Sequence, residues 1–280
     1  MFKITNLKTC LIGAYALSFF SLTANAALIS YTSGGKDLVY SSISDVTWTK
    51  DANLLGSMIA VNGYDAVVNA IIHVTPTVAS LPNYDAPTGL YTLSQSDFVD
   101  GYVSWYGAVA FANYLNSIQY GGSNRWQLPS ALIPDNSGCT TDNSSTACVY
   151  DAIYQGNGVA PGNELAELYF HELGGRSRRI VNGGLDLGTG MPQTIIFDNE
   201  NDNPAFATST EVTSNGNTNY YFDTRNGLQL SYLKGGADLY YAWAITPGLI
   251  SAVPEPESLG ILMAGLGLIG LIQRRRRLSS

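Results

Sequence analysis

Ser104-Trp105-Tyr106-Gly107-Ala108-Val109-Ala110-Phe111-Ala112-Asn113-Tyr114-Leu115-Asn116-Ser117 reads as one capped amphipathic helix. Ser104 is a good N-cap, because its hydroxyl can accept a backbone N–H that a helix start leaves unpaired. Behind it Trp105, Ala108, Val109, Ala112 and Leu115 or Asn116 recur three or four apart, which gathers them on one face. The spacing predicts a helix over Trp105–Ser117, broken at Gly121-Gly122. Arg125-Trp126-Gln127-Leu128-Pro129 then follows as a short extended segment.

Working outward, residues 37–50 (DLVYSSISDVTWTK) predict two short strands joined by a turn, and residues 64–73 (YDAVVNAIIH) a short helix with His73 at the surface. Residues 75–103 carry Pro76, Pro82 and Pro87 and are expected to be irregular. On the other side, a long polar loop over 133–162 leads to Asn163, the expected cap of a second helix over 164–173. Its apolar side is Leu165, Leu168, Tyr169 and Leu173, and Gly174-Gly175 ends it. Past a Gly-rich stretch at 181–192, β-rich runs are expected at 193–198, 205–212, 220–224 and 240–246. Asn226-Gly227 marks a hairpin turn before 228–233. Two main helices and several short antiparallel strands make an α+β domain. Trp48, Trp105, Trp126 and Trp243 each lie in or beside an apolar run, which predicts one shared aromatic core.

The two ends follow another logic. Lys3 and Lys8 precede an apolar run at 11–22, and Ala24-Asn25-Ala26 supplies a small-x-small step. That pattern predicts a secretory signal peptide over 1–26, cut between Ala26 and Ala27. At the other end Val253-Pro254-Glu255-Pro256-Glu257 precedes an uncharged run at 259–272 (LGILMAGLGLIGLI) and then Arg274, Arg275, Arg276 and Arg277. As a helix the run spans about 21 Å, short of the roughly 30 Å hydrocarbon core. It is therefore expected to be a short transmembrane helix in a thin bilayer, with the arginines snorkelling on the cytoplasmic side. Segment 253–280 resembles the PEP-CTERM sorting signal in order, spacing and position. The resemblance implies export by the secretory pathway and a transient anchor in the inner membrane. It also implies processing near Pro254-Glu255-Pro256 by an exosortase-type enzyme, and delivery to the cell surface or beyond.

Between these ends lie residues 27–250. The whole chain has a formal charge of −8, but the region between the targeting segments keeps 8 of the 14 basic residues and 20 of the 22 acidic ones, a charge of −12. Such a surface excludes a nucleic-acid partner, whose binding rests on neutralising phosphates. The one basic cluster, Arg176, Arg178 and Arg179, reads as a solvated loop. Cys139 and Cys148 remain once Cys10 leaves with the signal peptide. An even pair in an oxidising compartment reads as a disulfide; a metal pair would want nearby histidines and a redox pair C-x-x-C spacing.

Four blocks carry a second resemblance. They are Asp45-Val46-Thr47-Trp48 with Lys50-Asp51-Ala52-Asn53; Trp105 and Ala108 with Arg125-Trp126-Gln127-Leu128-Pro129-Ser130; Asn163-Glu164-Leu165 with Tyr169 and Glu172-Leu173-Gly174; and Tyr221-Phe222-Asp223 with Tyr241-Ala242-Trp243-Ala244-Ile245-Thr246-Pro247-Gly248. Together they resemble the Lcl C-terminal-like domain, a domain of unknown function. The order of helix and Leu-Pro step is similar to the C-type-lectin-like superfamily. The resemblance implies a C-type-lectin-like core over 27–250. The family's usual Trp-Arg-Leu-Pro is here Arg125-Trp126-Gln127-Leu128-Pro129, and its Trp-Ser-x-Thr strand is here Phe206-Ala207-Thr208-Ser209-Thr210.

Chemistry is sparse in the sequence. Glu164, Glu167 and His171 fall at i, i+3 and i+7 of the second helix and would share a face, where carboxylates and an imidazole can ligate a metal or share a proton. No second Glu-x-x-His completes a di-metal set, and the face opposite the apolar stripe is expected to be solvated. Asp198-Asn199-Glu200-Asn201-Asp202-Asn203 alternates oxygen ligands as a Ca²⁺ loop does, without the glycine and distal glutamate of an EF-hand. No catalytic residue or resident cofactor is assigned. The reading is a non-catalytic, polysaccharide-associated module; the alternatives are a secreted metal-dependent enzyme using Glu164, Glu167 and His171, or a purely structural coat protein. A cleft lined with aromatic and Asp or Asn side chains would favour sugar binding.

Overall fold

The computed structural model describes residues 28–131, 163–175, 194–200, 205–214, 216–225, 227–236 and 240–251, and the backbone of 139–141 and 146–149. In chain order the first half gives β1 (Leu28–Ser33), β2 (Lys36–Ser41), β3 (Val46–Thr49), α1 (Leu54–Asn62), α2 (Tyr64–Val74), β4 (Thr77–Ala79), β5 (Leu90–Thr92), β6 (Phe98–Val99), β7 (Tyr102–Val103) and α3 (Trp105–Ser117). The second half gives β8 (Cys139–Thr141), β9 (Thr146–Val149), α4 (Glu164–Glu167), β10 (Ala205–Glu211), β11 (Thr218–Asp223), β12 (Leu228–Leu233) and β13 (Ile245–Pro247). The α+β expectation holds, with four helices among the described residues rather than two.

Two antiparallel sheets organise the chain. The first has the order β1-β2-β3-β13, so the first and last described strands share it. Gly34 and Gly35 have φ of 54° and 68°, the positive values that a two-residue hairpin turn demands at both centres. One row crosses all four strands: Leu28 opposes Ser41, Ser41 opposes Val46, and Val46 opposes Pro247. The second sheet has the order β10-β11-β12-β9-β8. β11 and β12 pair antiparallel, with Asp223 opposite Leu228, as the expected hairpin requires; Asn226 of its turn lies outside the described residues. Residues 75–103, expected to be irregular, hold two small hairpins, β4–β5 and β6–β7.

Successive strand residues face opposite sides, and the first sheet uses both. Leu38 joins a core with Val68, Ile71, Tyr106, Phe111 and Leu115 from α2 and α3, whereas Val39 joins a core with Leu165, Tyr169, Phe206 and Phe222. This corrects the single aromatic core. Trp105 and Trp126 lie in the first cluster, while Trp48 and Trp243 lie in the second with ring centroids 4.9 Å apart. All four are buried, so the expectation of burial stands.

Helix α3 has the bounds read from its periodicity. The Ser104 hydroxyl accepts from the Gly107 amide at 3.0 Å and donates to Asp97 at 2.7 Å. The helix over 164–173 differs from expectation. Only Glu164–Glu167 is α-helical; Leu168–Glu172 is a π-turn, in which the Leu173 amide donates to the Leu168 carbonyl at 2.9 Å. Asn163 stands at the cap position without capping, and its side-chain amide donates to Gln229 at 3.1 Å. Residues 194–198 are bends with one bridge at Asp198, not a strand. The Thr194 hydroxyl oxygen accepts from the amides of Ile196 and Phe197, a local turn that competes with strand pairing.

Candidate functional site

The cleft with the most promising chemistry is built on the loop between β4 and β5. Asn83 organises that loop. Its side-chain oxygen accepts from the amides of Asp85 and Ala86, both at 2.9 Å, and from the Tyr106 hydroxyl at 3.2 Å. Its amide group donates to Ser80 Oγ and the Leu81 carbonyl at 3.0 and 2.7 Å. Two links tie the loop to the second sheet: the Leu81 amide donates to Glu211 at 2.8 Å and the Tyr84 amide to Asn217 Oδ1 at 2.7 Å. Gly216 sits so close beneath that a Cβ there would lie 2.4 Å from the Pro82 carbonyl oxygen. The backbone under Tyr84 is thus fixed on both sides.

On this base Tyr84 is 92 % exposed. Beside it opens a cleft of about 510 Å³ lined by Tyr84, Asp85, Tyr91, Asn217, Leu233, Gly235 and Gly236. That volume lies within the usual range for small-ligand sites, about 300–1,000 Å³. The Tyr91 ring stacks on Tyr106, 3.8 Å between centroids and 6° from parallel, and its hydroxyl donates to Asp97 at 3.0 Å. Burial first, and then the Asp97 charge, raises the Tyr91 phenol above its ordinary value; burial raises Tyr106 as well. Both rings therefore stay neutral and keep their hydroxyl protons. Below the Gly235 end of the cleft, Lys234 is fully buried, its ammonium paired with Glu211 and 5.0 Å from the centre of the Trp105 ring.

The arrangement offers an exposed aromatic face, a carboxylate at Asp85, an amide at Asn217 and a glycine floor. It suits recognition of a ligand with one apolar face and polar edges. The sequence did not point here, because its parts come from two stretches, 84–91 and 217–236, more than a hundred residues apart. The only local cue is Pro82-Asn83-Tyr84-Asp85, a turn-forming run with a large aromatic inside it.

The residues singled out by sequence stand elsewhere. Glu164 accepts from the Ser130 amide and hydroxyl at 2.7 and 2.8 Å. Glu167 is buried, not solvated, and its carboxylate meets His171 Nδ1 at 2.6 Å. Glu172 joins this pair: neither of its oxygens has a well-formed hydrogen bond among the described residues, and burial pushes it up to about 7. Glu167 adds to that rise, while the Ser41 hydroxyl and His171 oppose it. Glu164, Glu167 and His171 thus do not converge on one point, and among the described residues no group of three or more His, Cys, Asp or Glu is gathered for a metal ion. Within the Ca²⁺-loop pattern, Asp198 pairs with Lys50 at 3.4 Å, Asn199 donates to Asp51 at 2.8 Å and Glu200 accepts from Thr194; residues 201–203 lie outside the described residues. The β8–β9 register sets Cys139 opposite Cys148. Directly opposed antiparallel residues have Cα atoms about 4.5–5.5 Å apart, inside the range a disulfide spans. Arg176, Arg178, Arg179, Ala26 and Ala27 lie outside the described residues, as do Pro254, Glu255, Pro256 and Arg274 to Arg277.

The folded part leads directly into those last residues. The Gly248 amide donates to the Asp45 carbonyl at 2.7 Å and the Ile250 amide to the Tyr31 hydroxyl at 3.2 Å, latching the segment after β13 to the first sheet. Residues 252–277 match the PEP-CTERM protein-sorting motif. The motif marks an exported protein that an exosortase processes and sorts to the cell surface. No curated protein and no solved structure matches the chain. Among the described residues no helix is long and apolar enough to cross a membrane, and the run at 259–272 falls outside them.

Proposed function

We propose that residues 27–250 form a non-catalytic polysaccharide-binding module which the sorting motif delivers to the cell surface, and that the Tyr84 cleft is its binding site. The observation that carries this is an exposed tyrosine on an immobilised loop. A free aromatic at a mobile loop tip would have to be ordered on binding; here Asn83, Asn217 and Glu211 have already fixed its backbone. The slightly positive C–H face of a pyranose ring suits the negative face of a tyrosine, and Asp85 and Asn217 stand at the edge to meet hydroxyls.

The Lcl C-terminal-like assignment, with a C-type-lectin-like core, belongs to the same proposal. Its support is that the four sequence blocks come together. Trp48 meets Trp243, the Gln127 amide donates to the Ile245 carbonyl at 2.8 Å, Ser130 meets Glu164, and Tyr169 lies 5.3 Å from Phe222 between ring centroids. The expected Cys139–Cys148 disulfide, a transient anchor at 259–272 and cleavage after Ala26 complete it. The metal-dependent enzyme has less behind it, since Glu164 is committed to Ser130.

The test is a glycan array spanning neutral, acidic and amino sugars, probed with the exported protein and with Tyr84→Ala. Binding by the first that is lost in the second is expected. Silence across the array, including the producing cell's own polysaccharide, would end the reading.

A further inference from the structure

The cleft also carries a charge pattern that narrows its ligand. Asp85 lines it, exposed, and its carboxylate makes no hydrogen bond or ion pair among the described residues. Its own backbone is held by Asn83, so the carboxylate cannot leave the mouth by a shift of the loop. A carboxylate oxygen lies 3.0 Å from the place where a side chain at Gly235 would begin; the glycine leaves that side of the acid open. None of the described residues lining the cleft is a cation, and no described cation pairs with Asp85. The nearest ammonium in the lining segments, Lys234, is fully buried and already paired with Glu211. Among the described residues, Asp97 behind Tyr91 and Glu211 beneath Leu81 add acidic groups near the cleft.

Resting on the polysaccharide reading, we propose that the cleft takes an amine-bearing sugar, a unit of a de-N-acetylated amino-sugar polymer, with its ammonium on Asp85 and its ring against Tyr84. An ammonium there gains a charge-assisted hydrogen bond to an acid that otherwise faces only water. The same cation lies within reach of the negative faces of the tyrosines that line the cleft. A uronate or a sulfated sugar would meet the Asp85 carboxylate with no basic residue in the described lining to offset it. A domain of net charge −12 also concentrates a polycation near its surface, an effect that salt screens.

The experiment titrates the exported protein with glucosamine oligomers, with N-acetylglucosamine oligomers of the same length, and with oligogalacturonate. The free-amine oligomer should bind tightest, roughly fivefold above its acetylated counterpart, the scale of one exposed ion pair. Asp85→Asn should erase that ratio by weakening the free-amine oligomer more than the acetylated one, and Tyr84→Ala should weaken both. Both residues are exposed, so both variants should melt like the parent. Equal binding of amine and acetylated oligomers overturns the proposal, as does a ratio that survives Asp85→Asn, which would mark a general attraction to the acidic surface. Preference for the uronate overturns it while leaving the polysaccharide reading in place. If no oligomer binds and the glycan array is also silent, the polysaccharide reading fails with it.

Discussion

Replacing Glu211 by glutamine tests how the binding loop is held. Lys234 has no exposed side-chain surface, whereas its partner Glu211 keeps 21 % of its own. One Glu211 oxygen takes both the Lys234 ammonium and the Leu81 amide, so the pair joins β12, β10 and the loop at one point. Glu211→Gln preserves size and one carbonyl acceptor but leaves an ammonium buried without a counter-charge. Removing one partner of a buried pair costs about 3–5 kcal/mol. The Trp105 ring offsets part of that, about 0.5–2 kcal/mol, and the remaining carbonyl a little more. The net cost should be about 2–3 kcal/mol, a fall of roughly 5–10 °C in Tm for a domain of this size. Lys234→Met keeps the apolar stem and leaves Glu211 free to turn to water, so it should cost about 1 kcal/mol or less. The double variant should then resemble Lys234→Met alone, because the stranded charge is gone. Denaturant melts of the three variants measure all of this. A cost below about 1 kcal/mol for Glu211→Gln, or equal costs for the two single variants, would refute the argument.

Trp126→Ala should cost about 3–5 kcal/mol, since the ring is 2 % exposed and its Nε1 donates to the Tyr120 carbonyl at 2.8 Å; equilibrium unfolding reads it. Glu172 is raised from 4.5 to about 7, so it favours folding while protonated; that contribution is complete below about pH 4.5 and is lost as the pH rises through 7. Glu172→Gln should therefore be more stable than the parent at pH 8 and gain nothing at pH 4, and an offset constant across that range would rule this out. Unreduced exported protein should show no free thiol at Cys139 or Cys148 when alkylated and weighed intact. Changing Glu255 and Pro256 together to alanine should leave an uncleaved, membrane-retained precursor, seen by C-terminal mass spectrometry of cell fractions; an intact Arg274 to Arg277 on surface-localised protein would contradict the sorting mechanism.

Local chemistry was legible in the sequence and assembly was not. Helix α3 could be read to the residue because its cap and its apolar stripe agree. Helix α1 was missed because LLGSMIAVN has almost no polar face, so no period stands out; its start is written in Asn53, whose side chain accepts from the Gly56 amide at 3.2 Å. The run at 193–198 looked like a strand by composition, but Thr194 spends its hydroxyl on the next two amides in reach. The tryptophans were correctly placed inside, yet burial alone cannot say on which face of a sheet each ring lies. Glu167 and His171 were legible as neighbours, four apart on one helix; the π-turn over Leu168–Glu172 that carries His171 was not, since widening a turn depends on what packs against it. The cleft left almost no trace, because a site assembled by Glu211 and Asn217 reaching across to the β4–β5 loop has no spacing to read.

The row from Leu28 to Pro247 bears on how the precursor is handled. Three strand spacings separate the point where the chain enters the first sheet from the point where it leaves, roughly 14 Å. The entry follows directly on the expected leader, and the exit stands a few residues before Pro254. Both ends of the described chain thus stand on the same side of the first sheet. If the expected leader and tail are both cut, the two cuts fall outside the sheet's strands, and neither requires a strand to be drawn out of it.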